Sequence, residues 1–216
     1  DPKPEPKRLI ICAFVLGILA TPIVFGFQSL FNLAAGQMRI NLLSYSLIAV
    51  FGLALIEEIF KFAAVYFGIN KSKFFDEPID AMIYMVVAAL GFAAAENIMI
   101  ILTIYRESAF VAWGEIFRTT TLRFLGATLL HSLSSGLVGY YWAIGILKEK
   151  RGKFICLGIV LATLLHTIFN YLILNLEDKI IYATLILIIA GILVLHDFEH
   201  LKKYDIITNI SSEKEI

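Results

Sequence analysis

The chain has 216 residues, of which 59% are hydrophobic, and its mean hydropathy is +0.83. This composition is too apolar for a soluble domain of that size and favours a polytopic membrane protein. The 18 basic and 18 acidic residues cancel, and no basic patch is interleaved with aromatic residues, which argues against nucleic acid as a partner.

Six apolar segments follow one another along the chain, each long enough for an α-helix to cross a hydrocarbon core of about 30 Å. They cover residues 9–33, 42–69, 79–105, 121–147, 154–175 and 180–196. Their continuous apolar character is unlike the short alternating strands of a membrane barrel. The sequence therefore predicts an all-α transmembrane helix bundle, with one domain over residues 1–200 and a polar C-terminal tail over 201–216.

Lysine and arginine residues are unevenly distributed between the two ends of these segments. Twelve lie on the side that holds both ends of the chain and five on the other side. Because positively charged loops stay in the cytoplasm, this bias predicts that both ends of the chain are cytoplasmic.

The second segment carries Glu57, Glu58 and Lys61 inside a run that otherwise suits the middle of a lipid bilayer. Charged residues inside a span are rare, usually face the protein interior and indicate a functional site. At 1.5 Å per helical residue, Glu58, Glu96, His131 and His166 fall at one depth, at mid-membrane or somewhat toward the outer face. Four spans thus deliver ionisable groups to one predicted polar centre.

Each of these groups also has a structural interpretation. Glu57 and Lys61 stand four residues apart, in the favourable order for a helical ion pair. Glu96 and Asn97 can hydrogen-bond between helices, and His131 lies among serines. His166 and Asn170 are four residues apart on one helical face, so they can address one point together.

The order of these residues resembles the PrsW family of intramembrane proteases. The similarity lies in EExxK at Glu57, Glu58 and Lys61, in FDEPIDAMIYMVVAALGFAAAEN at 74–97, in Arg123 followed by His131, and in HxxxN at His166 and Asn170. EE, FxxxE at Phe92 and Glu96, and HxxxN are also similar, more distantly, to the CAAX prenyl proteases and their bacterial relatives, in which FxxxH is usual.

The resemblance implies an intramembrane endopeptidase of a prokaryotic cell membrane, with a further span ahead of this chain. Its implied substrate is a single-span membrane protein, such as an anti-sigma factor, that is cut on its extracytoplasmic side. The implied catalytic and supporting residues are Glu57, Glu58, Glu96, His131, His166 and Asn170, with Lys61, Asn97 and Arg123 beside them.

Peptide hydrolysis requires an activated water, a group that stabilises the oxyanion and a proton donor for the leaving amine. Glu96, His131 and His166 would make an acceptable ligand set for one divalent metal such as zinc, with Glu57 or Glu58 as the base. A metal-free glutamate mechanism uses the same residues, so both mechanisms stay open. Pairing of Glu57 with Lys61 favours Glu58 as the base, whereas analogy with the CAAX enzymes favours Glu57.

A proton-coupled transporter or ion pathway is the alternative, because it also needs buried carboxylates and histidines. Such proteins usually show inverted repeats, or helices broken by Gly or Pro at mid-membrane. The prolines of this chain, at positions 2, 4, 6, 22 and 78, lie outside the polar layer. A scaffold that only binds membrane partners would have little need of four convergent ionisable groups.

Overall fold

The computed structural model describes residues 4–37, 46–107, 113–175 and 180–213, and within these ranges the chain forms six α-helices. The helices are α1 (Lys7–Gln37), α2 (Leu47–Gly68), α3 (Pro78–Glu107), α4 (Trp113–Leu147), α5 (Arg151–Asn175) and α6 (Ile180–Glu213). The prediction of an all-α membrane bundle is confirmed.

The helix ends differ from the predicted segment ends. Helix α2 begins at Leu47, because Ser46 accepts a hydrogen bond from the Ala49 N–H and caps the first turn. The predicted start of this segment at residue 42 falls outside the described residues. Helix α6 continues to Glu213, through most of the expected polar tail, because hydropathy marks where a helix leaves lipid and not where it ends.

The bundle is apolar outside and encloses a small group of polar and charged side chains within an apolar core. Within the described residues, four helices are long and apolar enough to cross a membrane, over Lys7–Gly36, Pro78–Thr103, Arg151–Asn175 and Ile181–Tyr204. Large apolar side chains point outward, including Phe67, which is 81% exposed, and Leu195, which is 70% exposed. Since charged residues of α2 are buried while such side chains are exposed, the outer surface suits lipid.

Helix α3 packs against both α1 and α4, and its contact with α1 is unusually close. A Cβ atom added to Gly17 of α1 would lie 1.9 Å from the Ala88 carbonyl oxygen, and one added to Gly91 of α3 would lie 2.0 Å from that of Phe14. Small residues let two membrane helices approach backbone to backbone. These two glycines therefore fix the position of α1 against the centre of the bundle.

A carboxyl pair ties the residues before α1 to the first turn of α3. The Asp80 carboxylate accepts the backbone N–H of Asp76 at 3.0 Å and of Glu77 at 2.9 Å, and the buried Tyr84 hydroxyl donates to Glu5. Burial raises the pKa of Glu5 from 4.5 to about 8, and the hydrogen bond to Asp80 and the neighbouring negative charges add to the shift.

Candidate active site

The polar centre lies between α2, α3, α4 and α5. Helix α2 turns Glu57, Glu58 and Lys61 into the bundle, where their exposed fractions are 7%, 0% and 0%. His131 of α4 and His166 of α5 are equally buried, at 2% and 1%. The structure thus brings together charged and titratable groups that the sequence placed at one depth.

Glu58 is held by donors from three helices. Its Oε1 atom lies 2.7 Å from Lys61 Nζ and 2.8 Å from His166 Nδ1, and it accepts the Ser134 hydroxyl at 3.0 Å. Lys61 pairs with Glu58, three residues earlier, where the sequence suggested Glu57. The argument that a Glu57–Lys61 pair leaves Glu58 available as the base therefore does not hold.

His131 is held on one ring nitrogen by a carboxylate from the neighbouring helix. Its Nε2 atom lies 3.0 Å from Oε2 of Glu96, whose side chain is 17% exposed. Its Nδ1 atom lies 3.3 Å from Lys61 Nζ and 4.0 Å from Glu57 Oε2. Because the Nε2–H group donates to the Glu96 carboxylate, the lone pair of this imidazole is on Nδ1 and faces the centre.

His166 has the opposite arrangement of its ring nitrogens. Its Nδ1 atom faces Glu58, and its Nε2 atom lies 3.5 Å from Glu57 Oε2. The two imidazole rings stand nearly perpendicular, at 84°, with centroids 5.0 Å apart. One ring nitrogen of each histidine therefore contacts a carboxylate, Glu96 for His131 and Glu58 for His166. The other ring nitrogen of each histidine directs its lone pair toward Glu57.

Glu57, His131 and His166 form the group of described residues that could hold a metal ion, with ligand atoms all within 4.8 Å of one another. Glu57 Oε2 is buried and accepts no hydrogen bond from any described residue. Two imidazole nitrogens and one carboxylate oxygen that converge in this way suit a cation, and Lys61 Nζ lies 3.3 Å from one of them, His131 Nδ1. The sequence suggested Glu96 as the carboxylate ligand, but Glu96 contacts Nε2 of His131, the ring nitrogen directed away from Glu57.

The remaining candidates occupy different positions. Asn97 donates to the Thr128 hydroxyl at 3.3 Å and so joins α3 to α4. Asn170 is half-buried, one turn beyond His166, and makes no hydrogen bond to the centre within the described part of the chain. The side chain of Arg123 lies outside the described residues.

Two residues of the centre were not predicted. Gln28 of α1 donates to Glu57 Oε1 at 2.8 Å, and Ser134 of α4 donates to Glu58. Both are uncharged, so neither stands out from a hydrophobic segment as a buried charge does. The position of Ser134, three residues after His131 on one helical face, was the available signal.

Comparison with known proteins gives one consistent family. Residues 5–195 match the model of a family described as PrsW family intramembrane metalloprotease. The chain is 30% identical to Protease PrsW of Oceanobacillus iheyensis over 94% of this chain and 87% of that protein. It is 28% identical to the proteins of the same name from Geobacillus kaustophilus, over 93% and 82%, and Clostridioides difficile, over 93% and 81%. No solved structure matches.

Proposed function

The chain belongs to the PrsW family of intramembrane proteases, and on that basis we propose that it hydrolyses a peptide bond of a membrane protein substrate at the centre formed by Glu57, His131 and His166. The observation that carries the proposal is the convergence of three acceptor atoms on one buried point. A transporter is not favoured, because the family is proteolytic.

We propose that Glu57, His131 and His166 hold one divalent metal such as zinc. The donor set fits, since two histidines and one glutamate leave a fourth position open, as in catalytic zinc sites. Bound zinc would act as a Lewis acid on the scissile carbonyl and would ease deprotonation of the attacking water.

The other two glutamates have different proposed roles. Glu58 is fully buried and occupied by three donors, so it fixes the ring of His166 and keeps its Nε2 lone pair directed inward. Glu96 fixes His131 in the same way, but its side chain is 17% exposed. It is therefore the carboxylate proposed to take the proton lost by the attacking water and to deliver it to the leaving amine.

A metal-free mechanism is the second candidate, and one contact favours it. Lys61 Nζ lies 3.3 Å from His131 Nδ1, the nitrogen that a metal would need. In that mechanism Glu57 Oε2 takes the proton of a water directly. The histidines, with Asn170 one turn beyond His166, would then stabilise the oxyanion.

The proposed substrate is a single-span membrane protein such as an anti-sigma factor, and the proposed location is a bacterial cell membrane with both ends of the chain in the cytoplasm. The excess of lysine and arginine on one side supports the orientation. A cysteine at position 150, in a variant lacking Cys12 and Cys156, tests it. If a reagent that does not cross membranes labels this cysteine in intact cells, the proposed orientation is wrong and residue 150 lies outside the cell.

Metal analysis of active, detergent-purified protein tests the mechanism. We expect about one equivalent of zinc per chain, loss of cleavage with a strong chelator and recovery when zinc is added. Glu57→Gln, His131→Ala and His166→Ala should each lose both the metal and the cleavage of a reporter that carries a candidate substrate span. Glu58→Gln and Glu96→Gln should severely lower cleavage.

His196→Ala is the matched control, because this side chain is 78% exposed and lies outside the centre. It should retain metal and activity. Full cleavage by protein without a stoichiometric metal would contradict the metal proposal and leave the metal-free mechanism as the explanation. Full cleavage by Glu57→Gln would contradict the proposed centre altogether.

A further inference from the structure

Helix α1 contributes one polar side chain to the catalytic centre. Gln28 lies in a helix that is apolar enough to cross the membrane, and its side chain is half-buried against α2. Its Nε2 atom lies 2.8 Å from Glu57 Oε1 and 3.4 Å from the Leu53 carbonyl oxygen, one turn earlier on α2. Gln28 therefore bridges two acceptors on the same face of α2.

The orientation of the Gln28 amide follows from its two partners. A carboxylate oxygen and a backbone carbonyl oxygen both require a donor, and the NH₂ group of glutamine supplies two. The reversed amide would place its oxygen against two other oxygens, so only one orientation satisfies the contacts. The shorter of these contacts restrains rotation of the Glu57 carboxylate.

The two oxygens of Glu57 thus have different surroundings. Oε1 accepts the Gln28 amide, whereas Oε2 lies 3.5 Å from His166 Nε2 and 4.0 Å from His131 Nδ1. A carboxylate free to rotate about its terminal torsion would exchange these positions. Holding one oxygen keeps the other directed between the two histidines.

We infer that Gln28 is a positioning residue that holds Glu57 by Oε1 and so directs Oε2 into the catalytic centre. This inference rests on the proposed function of Glu57 and deepens it. Gln28 acts through Glu57 and does not contact the histidines in the structure. It also makes the centre depend on α1, whose close approach to α3 is fixed by Gly17 and Gly91.

Gln28→Met tests the inference, because methionine keeps the length of the side chain and removes the donor. Residues that hydrogen-bond to a metal ligand typically contribute 10- to 100-fold to metal affinity. We therefore expect the Kd for zinc, measured by competition with a chromophoric chelator, to rise about 10- to 100-fold. Ser29→Ala is the matched control on the same helix, since Ser29 bonds only the Phe25 carbonyl of its own helix, and its Kd should equal that of the wild type.

Gln28→Asn provides a second variant in case Gln28→Met does not fold. It retains the amide but is one methylene too short to reach Glu57, so the same loss of zinc affinity is expected. The Tm of each variant without zinc separates a folding defect from loss of positioning. A wild-type Kd for zinc in a folded Gln28→Met or Gln28→Asn protein would overturn the inference.

A second readout separates this inference from the metal proposal. If the active wild-type protein binds no zinc, the metal proposal fails and Gln28 is judged by kinetics. Loss of positioning then lowers kcat roughly 10-fold or more at unchanged KM. Unchanged kcat in folded Gln28→Met would overturn the role of Gln28 and leave that of Glu57 intact.

Discussion

Removal of the Lys61 ammonium should destabilise the protein far more than removal of a surface lysine. Lys61 Nζ lies 2.7 Å from Glu58 Oε1, 3.3 Å from His131 Nδ1 and 3.4 Å from the Ser134 hydroxyl. Lys61 and Glu58 are both 0% exposed. Lys61→Met keeps an unbranched apolar side chain and leaves the Glu58 carboxylate buried without its cation.

The size of this effect follows from burial. Removing one partner of a buried ion pair costs about 3–5 kcal/mol, because the remaining charge stays desolvated. For a chain of this length that corresponds to a fall in Tm of about 6–20 °C. Thermal unfolding in detergent measures it, and the exposed Lys203→Met should stay within about 0.5 kcal/mol of the wild type.

A double variant tests the cause of the loss. Glu58→Gln removes the charge that Lys61→Met leaves unpaired, while the amide oxygen can still accept from Ser134 and His166. The double variant should therefore recover most of the lost stability. Lys61→Met with the stability of the wild type, or a double variant no more stable than Lys61→Met, would refute a buried ion pair at this position.

Two further predictions concern the packing of α1 and the contact between Glu5, which precedes α1, and Asp80 of α3. Gly17→Ala should destabilise the protein by about 1–3 kcal/mol, because the added methyl group meets the Ala88 backbone at 1.9 Å. Gly26→Ala, where an added Cβ meets nothing within 4 Å, should have a Tm equal to or slightly above that of the wild type. The tie between Glu5 and Asp80 should weaken with rising pH. The unfolded pKa of Glu5 is 4.5 and the folded pKa is about 8, so its contribution is complete below pH 4.5 and is lost as pH rises through about 8. Hydrogen exchange in the first turn of α1 measures this loss, and Glu5→Gln should remove the pH dependence.

The architecture of this protein was predictable because the bilayer limits what can span it. Backbone groups in lipid must be satisfied within each segment, so a long apolar run predicts a helix. The family was predictable as well, and membership of the intramembrane protease family is confirmed by the match over residues 5–195. The end of α6 was not predictable in this way, since a helix can continue into water without a change in its hydrogen bonding.

The convergence of the polar groups on one layer followed from sequence, but their contacts did not. Depth depends only on position along a helix, whereas contacts also depend on the rotation of each helix and on its neighbours. For this reason the sequence spacing predicted an ion pair between Lys61 and Glu57, whereas in the bundle Lys61 forms an ion pair with Glu58. Gln28 was missed for a related reason: an uncharged amide in an apolar helix gives no signal until its partner is known.

The two histidines show how four helices share the construction of one centre. Glu96 of α3 holds Nε2 of His131 on α4, and Glu58 of α2 holds Nδ1 of His166 on α5. Because the carboxylates hold opposite ring nitrogens, the nitrogens directed toward Glu57 also differ, and two perpendicular rings can approach the same oxygen of Glu57. Neither helix of a pair can fix its histidine alone. The proposed water-activating geometry therefore requires the assembled bundle, and we expect a disturbance of any one of the four helices to lower cleavage by changing the orientation of an imidazole.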